Sequence, residues 1–185
     1  MPIWVVGADV NKAAQHNYDA IFGHTRLGTP RNMSWLTLNY EKAGKPGGTD
    51  KIGIQKRRKW YRNDPKCLGV VPDVTACDEY PHYASQQGGV YAVPRPSLRV
   101  IDAKDNGLEG SYFGARFVTR CAAGLHSGTS LPTQNATGGT RFLVLAMPRP
   151  GSSDPSPTVL GFKPPKLFSP VSFGICKRGT VESAS

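Results

Sequence analysis

No stretch of this 185-residue chain approaches the ~18 uninterrupted apolar residues that a membrane-crossing helix requires, so the reading is a soluble protein with no membrane partner. Its opening, Met1-Pro-Ile-Trp-Val-Val-Gly7, has no basic leading segment and too short an apolar run for a signal peptide. An exported form would then be a mature or excised domain, or would travel by another route. The cysteines include no C-x-x-C pair, which argues against a zinc ribbon or a thiol redox motif. Long regular helices are disfavoured too, because 21 Gly and 16 Pro make one residue in five a helix breaker. Negative charge is scarcest of all: 13 acids face 23 Lys and Arg, for a net charge of +10. Such a surface attracts polyanions over long range, which makes nucleic acid the leading partner class. The plainer alternative is a basic surface that serves only solubility.

Length and composition suit one loop-rich α+β domain built on a small antiparallel sheet, with or without an attached arm. Asp9 or Asn11 is placed to cap a short amphipathic helix through Lys12, Ala13, Ala14, Tyr18, Ile21 and Phe22, which Gly23 stops. Alternation over Trp35 to Tyr40 reads as a strand. Residues 1–50 are accordingly an amino-terminal arm, packed on the rest or serving as a linker, and 51–185 the main domain. In that domain Ala76 to Tyr80 (ended by Pro81), Val90 to Val93 and Leu98 to Ile101 read as short strands. Lys104-Asp105-Asn106-Gly107 reads as a turn, Ser111 to Cys121 as a helix, and Arg141 to Met147 as the clearest buried strand. Seven prolines from Pro148 to Pro170 mark an extended wrapping tail with edge strands at most, around Val159 to Phe162 and Val171 to Ile175.

Three groups of residues carry chemistry. Cys67, Cys77, Cys121 and Cys176 fit two disulfides; the short loop favours Cys67–Cys77, which leaves Cys121–Cys176, with four reduced thiols as the alternative. Between Lys51 and Lys66, seven cations, among them Lys56, Arg57, Arg58, Lys59 and Arg62, surround Trp60 and Tyr61 against the single acid Asp64. Interleaved cations and aromatics suit a phosphate backbone with bases stacked beside it, although Trp60 by itself reads as a core anchor. Asp78, Glu79, Asp102, Asp105 and Glu109 put five of the 13 acids into 32 positions. Oxygen ligands gathered in a cationic chain would hold a hard divalent cation beside a phosphate. The plain reading of the same acids is turns and caps, and Asp105-Asn106-Gly107 is what a turn would use.

Cys77-Asp78-Glu79-Tyr80-Pro81, followed by Ala84-Ser85 and Gly88-Gly89, resembles the C-D-E-Y-P-F-A-S…E-G-G signature of the NucA/NucB family of bacterial sequence-nonspecific deoxyribonucleases. Asp105-Asn106 with Gly110-Ser111-Tyr112-Phe113-Gly114 is similar to that family's D-N-R-x-x-G-S-x-x-G block, and Gly139-Thr140-Arg141-Phe142-Leu143-Val144 to its G-T-R-V-L-F strand. The resemblance covers roughly residues 75–147 and implies a ββα-metal nuclease core: two strands present a general base, and the following helix presents ligands for one divalent cation, Mg or Mn. It carries the base to Asp78, with Glu79 beside it, and a metal ligand to Asn106. Asp78 would then take a proton from a water aimed at phosphorus while the cation stabilises the developing charge.

The sequence also departs from the family's pattern. Gln87 stands where the family has the glutamate of E-G-G, Gly107 where it has an arginine, and Arg116 where its second, carboxylate ligand would fall. Arg116 joins the basic residues as a DNA contact instead, and Glu109 is the substitute metal ligand. His82 is a further candidate base, its unperturbed pKa near ~6.5 suiting proton transfer at neutrality; a surface histidine packed on Tyr83 is the competing reading. His16, His24 and His126 show no ligand spacing and receive no role. The expected activity is metal-dependent hydrolysis of DNA with little sequence preference, secreted or delivered into a target cell as the toxin domain of a larger protein, with an inhibitor (immunity) protein as a further partner. The rival is a non-catalytic DNA-binding module that has lost its metal site.

Overall fold

The computed structural model describes residues 2–22, 35–37, 61–82, 85, 95–121, 141–150 and 168–176. The chain begins with strand β1 (Ile3–Val6), a short 3-10 turn, and helix α1 (Asn11–Phe22). Strand β2 (Trp35–Thr37) follows, then two 3-10 turns, and the hairpin strands β3 (Thr75–Tyr80) and β4 (Ser97–Asp102). Helix α2 (Ala103–Tyr112) runs into a π-helical stretch, Phe113–Val118, before β5 (Arg141–Ala146) and β6 (Phe173–Ile175). The class is α+β, as expected. The expected strands Val90 to Val93 and Val159 to Phe162 lie outside the described residues, as do Leu38 to Tyr40 and Gly23.

The larger sheet is mixed rather than antiparallel, in the order β2-β5-β1-β6. β1 and β5 pair in parallel, with Trp4 opposite Val144, while β6 runs antiparallel along the other side of β1, with Trp4 opposite Gly174. A parallel pair requires a long crossover, and here the connection contains α1, the hairpin and α2. Of the two roles left open for the first fifty residues, packing on the rest holds for residues 2–22: β1 is an interior strand, and Trp4, Val5 and Val6 are all buried. Beneath the sheet, Trp4, Phe113, Phe117 and Phe142 form an aromatic cluster with centroids 5.1–5.9 Å apart. Apolar burial of this kind contributes ~25 cal/mol per Å² and fixes which face of α2 turns inward.

The tail supplies the edge strand expected near Val171 to Ile175. Its Gly174 is needed for close approach, since a Cβ there would lie 2.7 Å from the Arg116 carbonyl and 2.9 Å from the Phe117 ring. Cys121–Cys176 ties this strand to the end of the π-helical stretch, and Cys67–Cys77 ties the Pro65–Cys67 turn to β3, the pairing favoured from loop length.

Two local readings are corrected. Lys104-Asp105-Asn106-Gly107 is the first turn of α2 and not a loop: the Asp102 carboxylate accepts from the backbone N–H groups of Lys104 and Asp105 (2.9 and 3.1 Å), which caps the helix one turn earlier than its glycines suggest. Neither Asp9 nor Asn11 caps α1. Asp105 does so from α2, accepting from the Lys12 N–H at 2.7 Å, while Asp9 accepts from Ser172 Oγ and the Arg116 guanidinium, and Asn11 from the Arg149 N–H.

Candidate functional site

The hairpin β3–β4 and helix α2 are consecutive, and α1 packs across all three. Four buried ionisable side chains and one amide meet there: His16 and Asn17 from α1, Asp78 from β3, His82 just beyond it, and Glu109 from α2. His16 Nδ1 donates to Asp78 Oδ2 at 2.7 Å. A ring whose Nδ1 carries the proton leaves Nε2 as an acceptor, and Ser97 Oγ on β4 lies 3.0 Å from it. The other Asp78 oxygen accepts from the Glu79 N–H at 2.9 Å. Both ends of the imidazole and both carboxylate oxygens are therefore held, and rotation of either side chain would break a buried hydrogen bond.

Next to this pair, Asn17 Nδ2 donates to Glu109 Oε1 at 2.9 Å, and His82 Nε2 stands 3.5 Å from the same oxygen. Burial first, and the Asp78 charge second, push the Glu109 carboxyl up to about 8; the Asn17 hydrogen bond works against them. His82 moves the other way, to about 4, because desolvation of the imidazolium and the nearby His16 outweigh the attraction of Asp78. The side chain is buried, packed edge-on to Tyr80 (5.5 Å) and against Phe113 (5.1 Å), so it is neither a surface histidine nor a base poised near neutrality. Desolvation also raises the Tyr80 phenol well above its ordinary value, with Glu109 adding to the shift.

The structure thus brings together Asp78, His82 and Glu109 from the expected set. Glu79 is buried as well, but successive strand residues leave on opposite faces, so its side chain departs from the far side of β3 relative to Asp78. Asn106 is half-buried on α2, one turn before Glu109 and on the same helical face. Arg116 is held in a structural bridge: its guanidinium donates to Asp9 (3.1 Å) and the Ser172 carbonyl (3.0 Å) and lies over the Tyr112 ring at 3.5 Å. Lys56, Arg57, Arg58 and Lys59 lie outside the described residues, and Arg62 belongs to the Tyr61–Asn63 turn, with its side chain likewise undescribed.

His16, Asn17 and Ser97 are the members that ligand spacing misses, since His16 and Asp78 are 62 positions apart. A signal for one of them, Asn17, exists in α1. Asn17 falls four residues after Ala13 and four before Ile21, on the stripe that must face inward, and a polar side chain there demands a buried partner.

Chemically, the arrangement offers an oriented acid–imidazole pair beside a carboxyl group in low-dielectric surroundings. Among the described residues, no three His, Cys, Asp or Glu side chains are grouped so as to hold a metal ion by themselves. Yet among the described residues two of the three buried side-chain atoms without a hydrogen-bond partner, Asn17 Oδ1 and His82 Nε2, belong to the residues that flank Glu109, and that donor set fits a divalent cation. No helix among the described residues is long and apolar enough to cross a membrane. No protein-family model matches this chain, and no curated protein matches it.

Proposed function

We propose that the protein is a metal-dependent, sequence-nonspecific endonuclease that hydrolyses DNA phosphodiester bonds. One observation carries the reading: the buried Asp78–His16 pair at 2.7 Å sits on a β-hairpin whose following helix points a buried carboxyl, Glu109, into the same cluster. A hairpin followed by a helix, with acids from both, supports the reading drawn from the residues that resemble the NucA/NucB family.

In the proposed mechanism, Asp78 and His16 act as one proton-accepting unit. The Glu79 N–H and Ser97 Oγ hold its two ends so that no reorientation accompanies proton transfer from a water to the pair. Glu109, with Asn106 on the same helical face, would hold one divalent cation, Mg or Mn; when bound it supplies Lewis-acid stabilisation of charge on the phosphate and the leaving oxygen. Loading would displace the proton that Glu109 otherwise keeps near neutral pH. The basic segment Lys51 to Lys66 would hold phosphates on either side, and because phosphates carry no base identity the enzyme would read little sequence. Two disulfides suit an oxidising compartment, consistent with a protein that is secreted or delivered into a target cell, where a toxin domain and its inhibitor protein would meet.

Plasmid DNA incubated with the protein and Mg²⁺ or Mn²⁺, with and without EDTA, tests the reading. Degradation that needs the metal and disappears in Asp78→Ala supports it. Retarded but intact plasmid would instead identify the DNA-binding module, and cleavage of RNA alone a ribonuclease.

A further inference from the structure

Resting on the reading of this cluster as a cation site, we infer that Asn17 and His82 join Glu109 and Asn106 as its ligands, and that this nitrogen-containing set selects a transition-metal ion such as Mn²⁺ or Zn²⁺ over Mg²⁺. Two buried side chains from separate parts of the chain converge on one carboxylate oxygen of a third. Asn17 comes from α1, His82 from the segment after β3, and Glu109 from α2. Their exposures are 0, 8 and 4%, so solvent does little to satisfy them. Asn17 has one amide atom in use and one, Oδ1, without a partner, and His82 Nε2 has none although Glu109 Oε1 is 3.5 Å away. A native interior seldom leaves an imidazole nitrogen such as His82 Nε2 unpaired beside a carboxyl unless something else binds there.

The spacings are those of ligands sharing an ion. A half-turn of the Asn17 amide brings Oδ1 to the position from which Nδ2 now donates, 2.9 Å from Glu109 Oε1. With metal–ligand bonds of ~2.1 Å, separations of 2.9 and 3.5 Å correspond to ligand–metal–ligand angles of roughly 90° and 110°, both ordinary for zinc or manganese. Mg²⁺ prefers oxygen ligands and retains several waters, whereas an imidazole in a nearly dry site favours softer ions. The set also gives α1, which lies outside the part of the chain resembling the nucleases, a direct share in the metal.

Titration of the full chain with Mn²⁺, followed by electron paramagnetic resonance, tests this. The expected result is one bound Mn²⁺ with nitrogen hyperfine modulation that persists in excess Mg²⁺. His82→Gln should abolish the modulation, Asn17→Ala should weaken binding ~10–100-fold, and Asn17→Asp, which keeps an oxygen and adds charge, should bind at least as tightly as the parent chain. Asn17→Asp keeps the test decisive if Asn17→Ala unfolds. Bound Mn²⁺ without nitrogen modulation, or Mn²⁺ readily displaced by Mg²⁺, overturns the ligand set; if plasmid cleavage still requires a metal, the nuclease reading survives that failure. Nitrogen-coupled Mn²⁺ on a protein that leaves DNA and RNA intact supports the ligand set and removes the nuclease.

Discussion

Helix α2 joins two regions built on opposite principles. At its π-helical end Phe113 and Phe117 pack with Trp4 and Phe142 in an apolar cluster, while one turn earlier Glu109 enters a group of acids, imidazoles and an amide. Both regions are buried, yet only the first gains stability directly from burial. In the second, each polar group must be matched, and Glu109, whose charged form burial disfavours, keeps its proton up to about 8. The comparison teaches that the apolar end holds the helix so firmly that the polar end can be kept in a chemically useful but energetically costly arrangement.

The sharpest way to break that comparison is to change one side of it. Asp78→Asn should lower DNA cleavage by ~10²–10⁴-fold, measured on plasmid under single-turnover conditions, with only a small change in thermal midpoint. Phe117→Ala should do the reverse in order of severity, costing ~3–5 kcal/mol in urea unfolding, because Phe117 is fully buried against three other rings. If Asp78→Asn instead unfolds the protein while cleavage per folded molecule is retained, the polar cluster is scaffold and the distinction collapses.

Stability against pH in EDTA gives the next effect. Glu109 has a raised folded-state pKa, so its contribution is complete below ~4.5 and is lost as pH climbs through about 8; His82 has a lowered one, so its contribution is complete above ~6.5 and is lost as pH falls toward about 4. Glu109→Gln should therefore remove the decline between pH 5 and 9 and leave the acid limb intact, read from urea midpoints across that range. Smallest of all, Asp105→Ala should cost ~1 kcal/mol by removing the bond to the Lys12 N–H, with cleavage reduced only through any shift of His16.

Strands were legible where short runs are bounded by breakers or are wholly apolar: β3, ended by Pro81, β4, and the apolar run of β5 needed no tertiary information. Cys67–Cys77 followed from its short loop, and Cys121–Cys176 was the pair left over. β1 was not legible as a strand, because Ile3 to Val6 is too short to distinguish a buried strand from any other apolar run, and its two partners come from the other end of the sequence. Asp105-Asn106-Gly107 has turn chemistry, and Asp102, by capping three positions earlier, overrides it. Within the site, Asp78 and Glu109 stood out by charge, whereas His16 could be recognised only once α1 was laid across the hairpin. A histidine's role here depends on what lies 62 positions away, and no local pattern encodes that.

The pairing of β1 has a consequence for how the molecule comes into being. The residues that Ile3 pairs with, Leu143 and Ile175, are made 140 and 172 positions after it. Between those points the nascent chain carries α1, with His16 and Asn17, without the completed sheet. Contacts so distant form late, so the assembled cluster exists only once translation has passed the last strand.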